Sequence, residues 1–277
     1  MPKPTICLAG ALAAAALFVP AAGAAADTSV SSNWAGYVVT PKSSATKFKT
    51  VSGTWTVPQG DCSSGTPGYS ATWVGIGGYT TTSKALEQTG TEFDCSRGTA
   101  RYSAWYELVP DVGREINMTV NPGDTMDAAV TVNGTRVTLY LRNRTRGSAF
   151  RRTFTMKAPD RTSAEWIVEA PSSCDSAGQC AQLPISNFGT QSFLHASATS
   201  ARGNRGSIAS TRWSSTKVTL SQGGGGRFAQ FASQRGAEPS DLSADGASFT
   251  VSYTEQAPPT NTPPPMLAPG AGGPWQD

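Results

Sequence analysis

The chain has 277 residues, 38% hydrophobic and 15% charged, with 29 Gly, 19 Pro, 5 Cys, a single His and a formal net charge of +3. One imidazole excludes a zinc site built on several histidines, and a Ser or Cys nucleophile needing an imidazole base would have to use His195. So mild a net charge argues against nucleic acid, whose phosphates need clustered Lys and Arg; the one basic stretch, 142–152, reads first as an exposed strand edge or hairpin.

Lys3 precedes an apolar run at 6–18 and a small-residue stretch at 21–26 that ends before Asp27, which is the pattern of a secretory signal peptide over residues 1–26. The run is short for a membrane span and no later segment approaches that length, so the expectation is a secreted, extracellular chain free of the membrane after cleavage. Export changes how the cysteines read. Cys7 leaves with the leader, and Cys62, Cys95, Cys174 and Cys180 remain as an even set in an oxidising compartment. Three pairings are possible; the simplest joins Cys174 to Cys180 around a short loop and Cys62 to Cys95. No CxxC and no neighbouring His favours a metal.

From 27 to 255 the hydrophobic period is two. Strands are expected at 51–57, 71–76, 102–108, 115–120, 126–132, 137–141, 152–157, 164–169, 217–220 and 249–253, with Asn133-Gly134 turning a hairpin between two alternating runs. No amphipathic helix of useful length is visible. Many short strands separated by turn signals predict one all-β domain over 27–255, an antiparallel β-sandwich of two packed sheets, concanavalin-like in kind. The Pro/Gly-rich tail, 256–277, has too few apolar side chains to bury and is expected to be disordered, and the run Gly223 to Gly226 reads as a flexible loop rather than a phosphate cradle. Asn117, Asn133 and Asn143 begin N-x-Ser/Thr sequons.

His195 has no G-x-S-x-G elbow near it, which weakens a serine hydrolase reading. Carboxylates and amides remain. Glu165 and Glu169 lie four apart in a segment that otherwise reads as buried strand, and strict alternation puts Glu165, Ile167 and Glu169 on one face. Acids in such a strand are costly unless they meet a cleft or a partner; charge patterning alone leaves function and a solvated face equally open. Two further unusual segments are Leu86-Glu87-Gln88-Thr89-Gly90-Thr91-Glu92 and Tyr102-Ser103-Ala104-Trp105-Tyr106-Glu107. Trp73, Trp105 and Tyr106 suit a sandwich core, a sugar-stacking platform or the wall of a peptide groove.

Together these segments resemble the glutamic peptidases, the eqolisin family of secreted β-sandwich endopeptidases. The resemblance runs in order through Ser32-Asn33-Trp34-Ala35-Gly36, Gly53-Thr54-Trp55-Thr56-Val57-Pro58, Trp73-Val74-Gly75-Ile76, Gln88-Thr89-Gly90, Ser103-Ala104-Trp105-Tyr106-Glu107 and Ala164-Glu165-Trp166-Ile167-Val168-Glu169. It implies a catalytic pair of Gln88 and Glu169, with Glu165 the competitor for the base, and cleft positions for Trp73, Trp105, Glu107 and Glu92 that bind substrate. It implies a monomeric endopeptidase acting on proteins or peptides, with no cofactor, metal or nucleic acid.

The sequence departs from the family pattern where Gly77 replaces an acid, Glu92 stands where Asp is common and Ser103 replaces an Asp of the fungal members. Fewer acids then crowd the cleft, and the expectation is a base working at less acidic pH. The chain passes almost directly from leader to Asn33, so a member of the prokaryotic type without a long pro-segment is expected. The rival reading is a secreted carbohydrate-binding or carbohydrate-cleaving sandwich. Against it, the E-x-D-x-E string of sandwich glucanases is absent, since Ile167 occupies its centre.

Overall fold

Among the described residues every regular element is a strand, as the period of two predicts. The computed structural model describes residues 26–174, 179–222 and 234–256. The expected leader, apart from its last residue, the run Gly223 to Gly226 and the tail after residue 256 lie outside them. The strands are β1 (Asp27–Ser31), β2 (Trp34–Pro41), β3 (Phe48–Thr56), β4 (Gly68–Gly77), β5 (Leu86–Ser96), β6 (Thr99–Val109), β7 (Arg114–Ile116), β8 (Thr125–Asn133), β9 (Arg136–Asn143), β10 (Ser148–Thr155), β11 (Ala164–Glu169), β12 (Ser172–Cys174), β13 (Cys180–Gln182), β14 (Thr190–Ser200), β15 (Arg205–Gly206), β16 (Trp213–Gln222), β17 (Gln234–Pro239) and β18 (Phe249–Gln256).

The sandwich differs in one respect from two separate sheets. Its layers belong to a single hydrogen-bonded path, β10-β9-β8-β3-β14-β18-β17-β16-β2-β11-β4-β5-β6-β7, which folds back on itself, while β12 and β13 form a small separate ribbon. Strands β3, β8, β9 and β14 of one layer pack on β4, β5 and β11 of the other. Pairing is antiparallel along this path; β1 lies parallel to β16.

Alternation sorts the side chains. Met126, Ala128, Val130 and Val132 of β8 and Val137, Leu139 and Leu141 of β9 all enter the core between the layers, and the hairpin turns at Gly134 with φ of 61°. Three buried polar ties cross the core: Trp166 Nε1 donates to the Ser52 carbonyl at 2.8 Å, Trp55 Nε1 to Thr91 Oγ1 at 3.0 Å, and Thr72 Oγ1 to Gln191 Oε1 at 3.1 Å. Each satisfies a group that would otherwise be stranded in an apolar interior, so the ties fix how the layers register. The expected cysteine pairs are present: Cys62–Cys95 joins the middle of the β3–β4 connection to β5, and Cys174–Cys180 closes the β12–β13 ribbon.

The basic stretch is the β9–β10 hairpin at one end of the sheet, with Arg146 on Asp124 at 2.7 Å and Arg144 on Asp127 at 3.7 Å. Its sequon residue Asn143 is buried and donates to Asp124 at 2.8 Å, unlike the exposed Asn117 and Asn133. The strand expected at 115–120 pairs only over Arg114–Ile116, because the Met118 N–H turns back to the Ile116 carbonyl at 2.7 Å. Strands β2, β5, β14 and β17 were not among the sequence expectations.

Gly90 shows how tightly β4 and β5 meet. A Cβ built there would lie 2.1 Å from the Thr72 carbonyl oxygen and 2.7 Å from Trp73 Cβ. Gly90→Ala should therefore force these two strands apart and cost on the order of 2 kcal/mol or more, read as a lowered melting temperature. An unchanged melting temperature would show that the strand pair is looser than its geometry.

Candidate functional site

Strand β11 is paired on both sides, with β2 and with β4, and its two faces meet different surroundings. Ala164, Trp166 and Val168 enter the main core, whereas Ile167 joins Val38, Ala71, Trp73, Leu86 and Val218 in a second apolar cluster on the outer face of this layer. Trp34 and Trp105 pack on that cluster, and Trp34 meets Trp73 edge-on at 5.1 Å. Glu165 and Glu169 share this face, as alternation predicted.

A cleft of about 420 Å³ opens beside it, lined among others by Gln88, Glu92, Trp105, Glu107, Glu115 and Glu169. Gln88 comes from β5 and is nearly buried; its Nε2 donates to Glu107 Oε2 of β6 at 2.6 Å. Glu169 stands at the end of β11, where Asn33 Nδ2 donates to Oε1 at 3.1 Å and Trp73 Nε1 donates to Oε2 at 2.9 Å. Among the described residues, Gln88 Oε1, Trp34 Nε1 and Trp105 Nε1 are buried without a hydrogen-bond partner.

Sheet register aligns Gln88 with Gly75 and Gly75 with Glu165, so by pairing alone Glu165 would face Gln88. Its side chain does not line the cleft. Glu165 is fully buried, and the Trp73 ring and Leu86 occupy the space above Gly75, 2.7 Å and 3.0 Å from where a Cβ would stand. Burial is what separates two acids that strand parity cannot distinguish.

Of the residues expected to bind substrate, Trp105, Glu107 and Glu92 line the cleft. Trp73 does not: it is fully buried beneath the floor and reaches the site only through its indole N–H on Glu169. Sequence reasoning gave no role to Asn33, although it stands inside one of the motif strings, and gave none to Arg114, Pro171 or Ser172, which form the rim. The Cys174–Cys180 ribbon thus walls the cleft as well as bridging a loop. The large hydrophobics exposed among the described residues are Val30, Val112 and Leu194, while Trp34 and Trp105 are half-buried.

Burial dominates the electrostatics of the site. It pushes Glu169 up to about 7 against the pull of the Trp34, Trp73 and Asn33 donors, with Glu107 adding like charge. Burial also raises Glu107, against the hydrogen bonds from Gln88 and Gly113, and raises Glu92. The expectation of a less acidic working range rested on lost like-charge neighbours, but that loss by itself leaves a carboxylate ionised to lower pH. Desolvation supplies the upward shift. A second group of acids is buried away from the cleft: Glu87 is raised by burial to about 8, and Glu165 well above the usual range, with Asp160 close to both. Gly77, which replaces a family acid, has φ of 89° and packs on Asp160 and the Ala85 carbonyl, a position that disfavours any side chain.

Known proteins share this family and fold. The profile of the Peptidase A4 family matches residues 32–229. Aspergillopepsin-2 of Aspergillus niger is 33% identical over 195 residues, which cover 61% of this chain; the match spans 65% of that relative's length. Scytalido-glutamic peptidase, solved with a transition state analog inhibitor, superposes with a TM-score of 0.65 at 26% identity, over 80% of this chain and 98% of that one. Aspergilloglutamic peptidase from Aspergillus niger gives 0.55 at 29% identity, over 68% and 99%.

The buried acids make a prediction about stability. A carboxyl whose folded pKa is raised contributes stability that is fully present below its unfolded value, roughly 4, and is lost as pH rises through the folded value. For Glu169 and Asp94 that upper limit is about 7 and for Glu87 about 8, while Asp124 and Asp160, held low by their hydrogen bonds against burial, weaken the fold only in acid. Melting temperature should fall steadily between about pH 5 and pH 8.5, and Glu87→Gln should flatten that fall. A melting temperature that holds or climbs over this range would contradict the assignment of these acids as buried and protonated.

Proposed function

The chain belongs to the Peptidase A4 family, the glutamic peptidases or eqolisins, and from that premise we propose that it is a secreted endopeptidase whose domain, 27–255, hydrolyses protein substrates with Glu169 and Gln88. The observation that carries this reading is that both side chains line one cleft and each is held by its own partners, Glu107 for Gln88 and Asn33 with Trp73 for Glu169. The paired cysteines and the N-terminal leader pattern support export.

In this mechanism the Glu169 carboxylate accepts a proton from a water molecule as the water oxygen bonds to the scissile carbonyl carbon. The carbonyl π pair moves onto oxygen. One N–H of the Gln88 amide is engaged by Glu107, which fixes the amide plane, and the second donates to the developing oxyanion. When the oxyanion collapses, the C–N bond breaks and its electron pair stays on nitrogen, which takes the proton from Glu169. The carboxylate is regenerated with no net change in the enzyme. The unpaired indole N–H of Trp105 is placed to hold a substrate carbonyl.

Turnover of an unfolded protein, followed by mass spectrometry of the products, tests the proposal. Gln88→Ala should lower kcat on the order of 10²–10³-fold with little change in KM, because the donor matters mainly in the transition state. Glu169→Gln should abolish hydrolysis with an unchanged fold, and Glu165→Gln should leave it. Hydrolysis surviving in Glu169→Gln, or lost only in Glu165→Gln, would reverse the choice of base.

A further inference from the structure

Asn33 lies in the short connection between β1 and β2 and is fixed at several points. Ser31 Oγ donates to Asn33 Oδ1 at 3.0 Å and accepts from the backbone N–H of Asn33 at 3.3 Å and of Trp34 at 3.1 Å. The Asn33 carbonyl accepts from the N–H of Ala170, the residue after Glu169, at 2.8 Å. With Oδ1 taken by Ser31, the amide nitrogen is the end that faces Glu169, and it donates to Oε1 at 3.1 Å. One residue therefore grips Glu169 twice, through the adjoining backbone and through the carboxylate.

The grip is one-sided. Trp73 holds Oε2, and the Trp34 indole N–H lies near enough to favour the carboxylate without hydrogen-bonding to it directly, so without Asn33 the carboxylate would lose the direct donor on Oε1 and could rotate about its last torsion. Asn33 does not itself line the cleft. Resting on the reading of Glu169 as general base, we propose that Asn33, oriented by Ser31, is a positioning residue that fixes the rotation of the Glu169 carboxylate and sets the pH at which it ionises. A neutral N–H donor stabilises the carboxylate more than the protonated acid, so its effect is to extend ionisation toward lower pH.

The charged groups facing Glu169 from neighbouring strands are Glu107 of β6, Glu92 of β5, and Arg114 and Glu115 of β7, all on the walls of the same cleft; β2 and β4 present Trp34, Ala71 and Trp73. Of these, Glu107 adds the like charge that disfavours the carboxylate, and the Asn33 donor opposes it.

The test is the pH dependence of kcat/KM on a quenched-fluorescence peptide, using the mature chain and its Asn33→Ala, Ser31→Ala and Glu169→Gln variants. Asn33→Ala should move the acid limb upward by about half a pH unit, with KM unchanged on the plateau. Ser31→Ala should move it the same way by less. A role confined to folding would lower the melting temperature or scale the whole profile without moving the limb, and that result would overturn the inference. If Asn33→Ala does not fold, the limb of Ser31→Ala decides in the same way. Glu169→Gln keeps the two readings apart: activity surviving there removes the proposed base itself, while a dead Glu169→Gln beside an unmoved limb in a folded Asn33→Ala removes only the role of Asn33.

Discussion

Six residues of β11, hydrogen-bonded on both sides, must satisfy two incompatible surroundings at once. Even-numbered positions from Ala164 to Val168 supply the core between the layers, and odd-numbered positions supply a second face that is apolar in its middle and acidic at its ends. A period of two permits no compromise. Slipping the strand by one residue would send both glutamates into the core and Trp166 out of it, and would break the Trp166 bond to Ser52 that ties the layers together. The register that packs the sandwich is thus the register that delivers Glu169 to the cleft.

Delivering a carboxylate to a half-buried position carries a desolvation cost, and the structure offsets it locally. Glu169 receives one donor on each oxygen, from Asn33 and from Trp73, and Gln88 has its amide nitrogen held by Glu107. Glu165, four residues away on the same strand, has no access to the cleft, and burial raises its carboxyl well above the usual range against a weaker pull from Ser163. The same side-chain type on the same face therefore meets two surroundings: one carboxyl is held at the cleft by donors, and the other is sealed where burial disfavours its charge. Sealed acids of this kind tie the fold to acidic and neutral conditions, since ionising them at high pH means charging a buried group.

The N-terminal strand contributes more than an edge. β1 runs parallel to β16, and the turn that follows places Ser31 and Asn33 against the end of β11. The Cys174–Cys180 ribbon, attached just beyond Glu169 through Pro171, supplies part of the rim and meets the same turn, where Gln182 Nε2 donates to the Ser32 carbonyl. The position of the acid thus depends on the β2–β11 pair, whereas the cleft walls come from β5, β6, β7 and the ribbon.

The fold class, the β8–β9 hairpin with its Asn-Gly turn, the bounds of β11 and the shared face of Glu165 and Glu169 were legible in the sequence because alternation of period two is local. β5 was not legible as a strand: Glu87, Gln88, Thr89 and Thr91 are all buried, so its polar residues occupy both faces and erase the alternation. The ordered motif strings pointed to Gln88 and Glu169 through resemblance to a family, without any contact between them being visible. Three-dimensional packing alone decided that Glu165 is sealed while Glu169 is reached, that Trp73 lies under the floor, and that Asn33 bonds to a residue 136 positions away. Parity along a strand is fixed by covalent geometry; burial and hydrogen-bond partners depend on which distant strands arrive beside it.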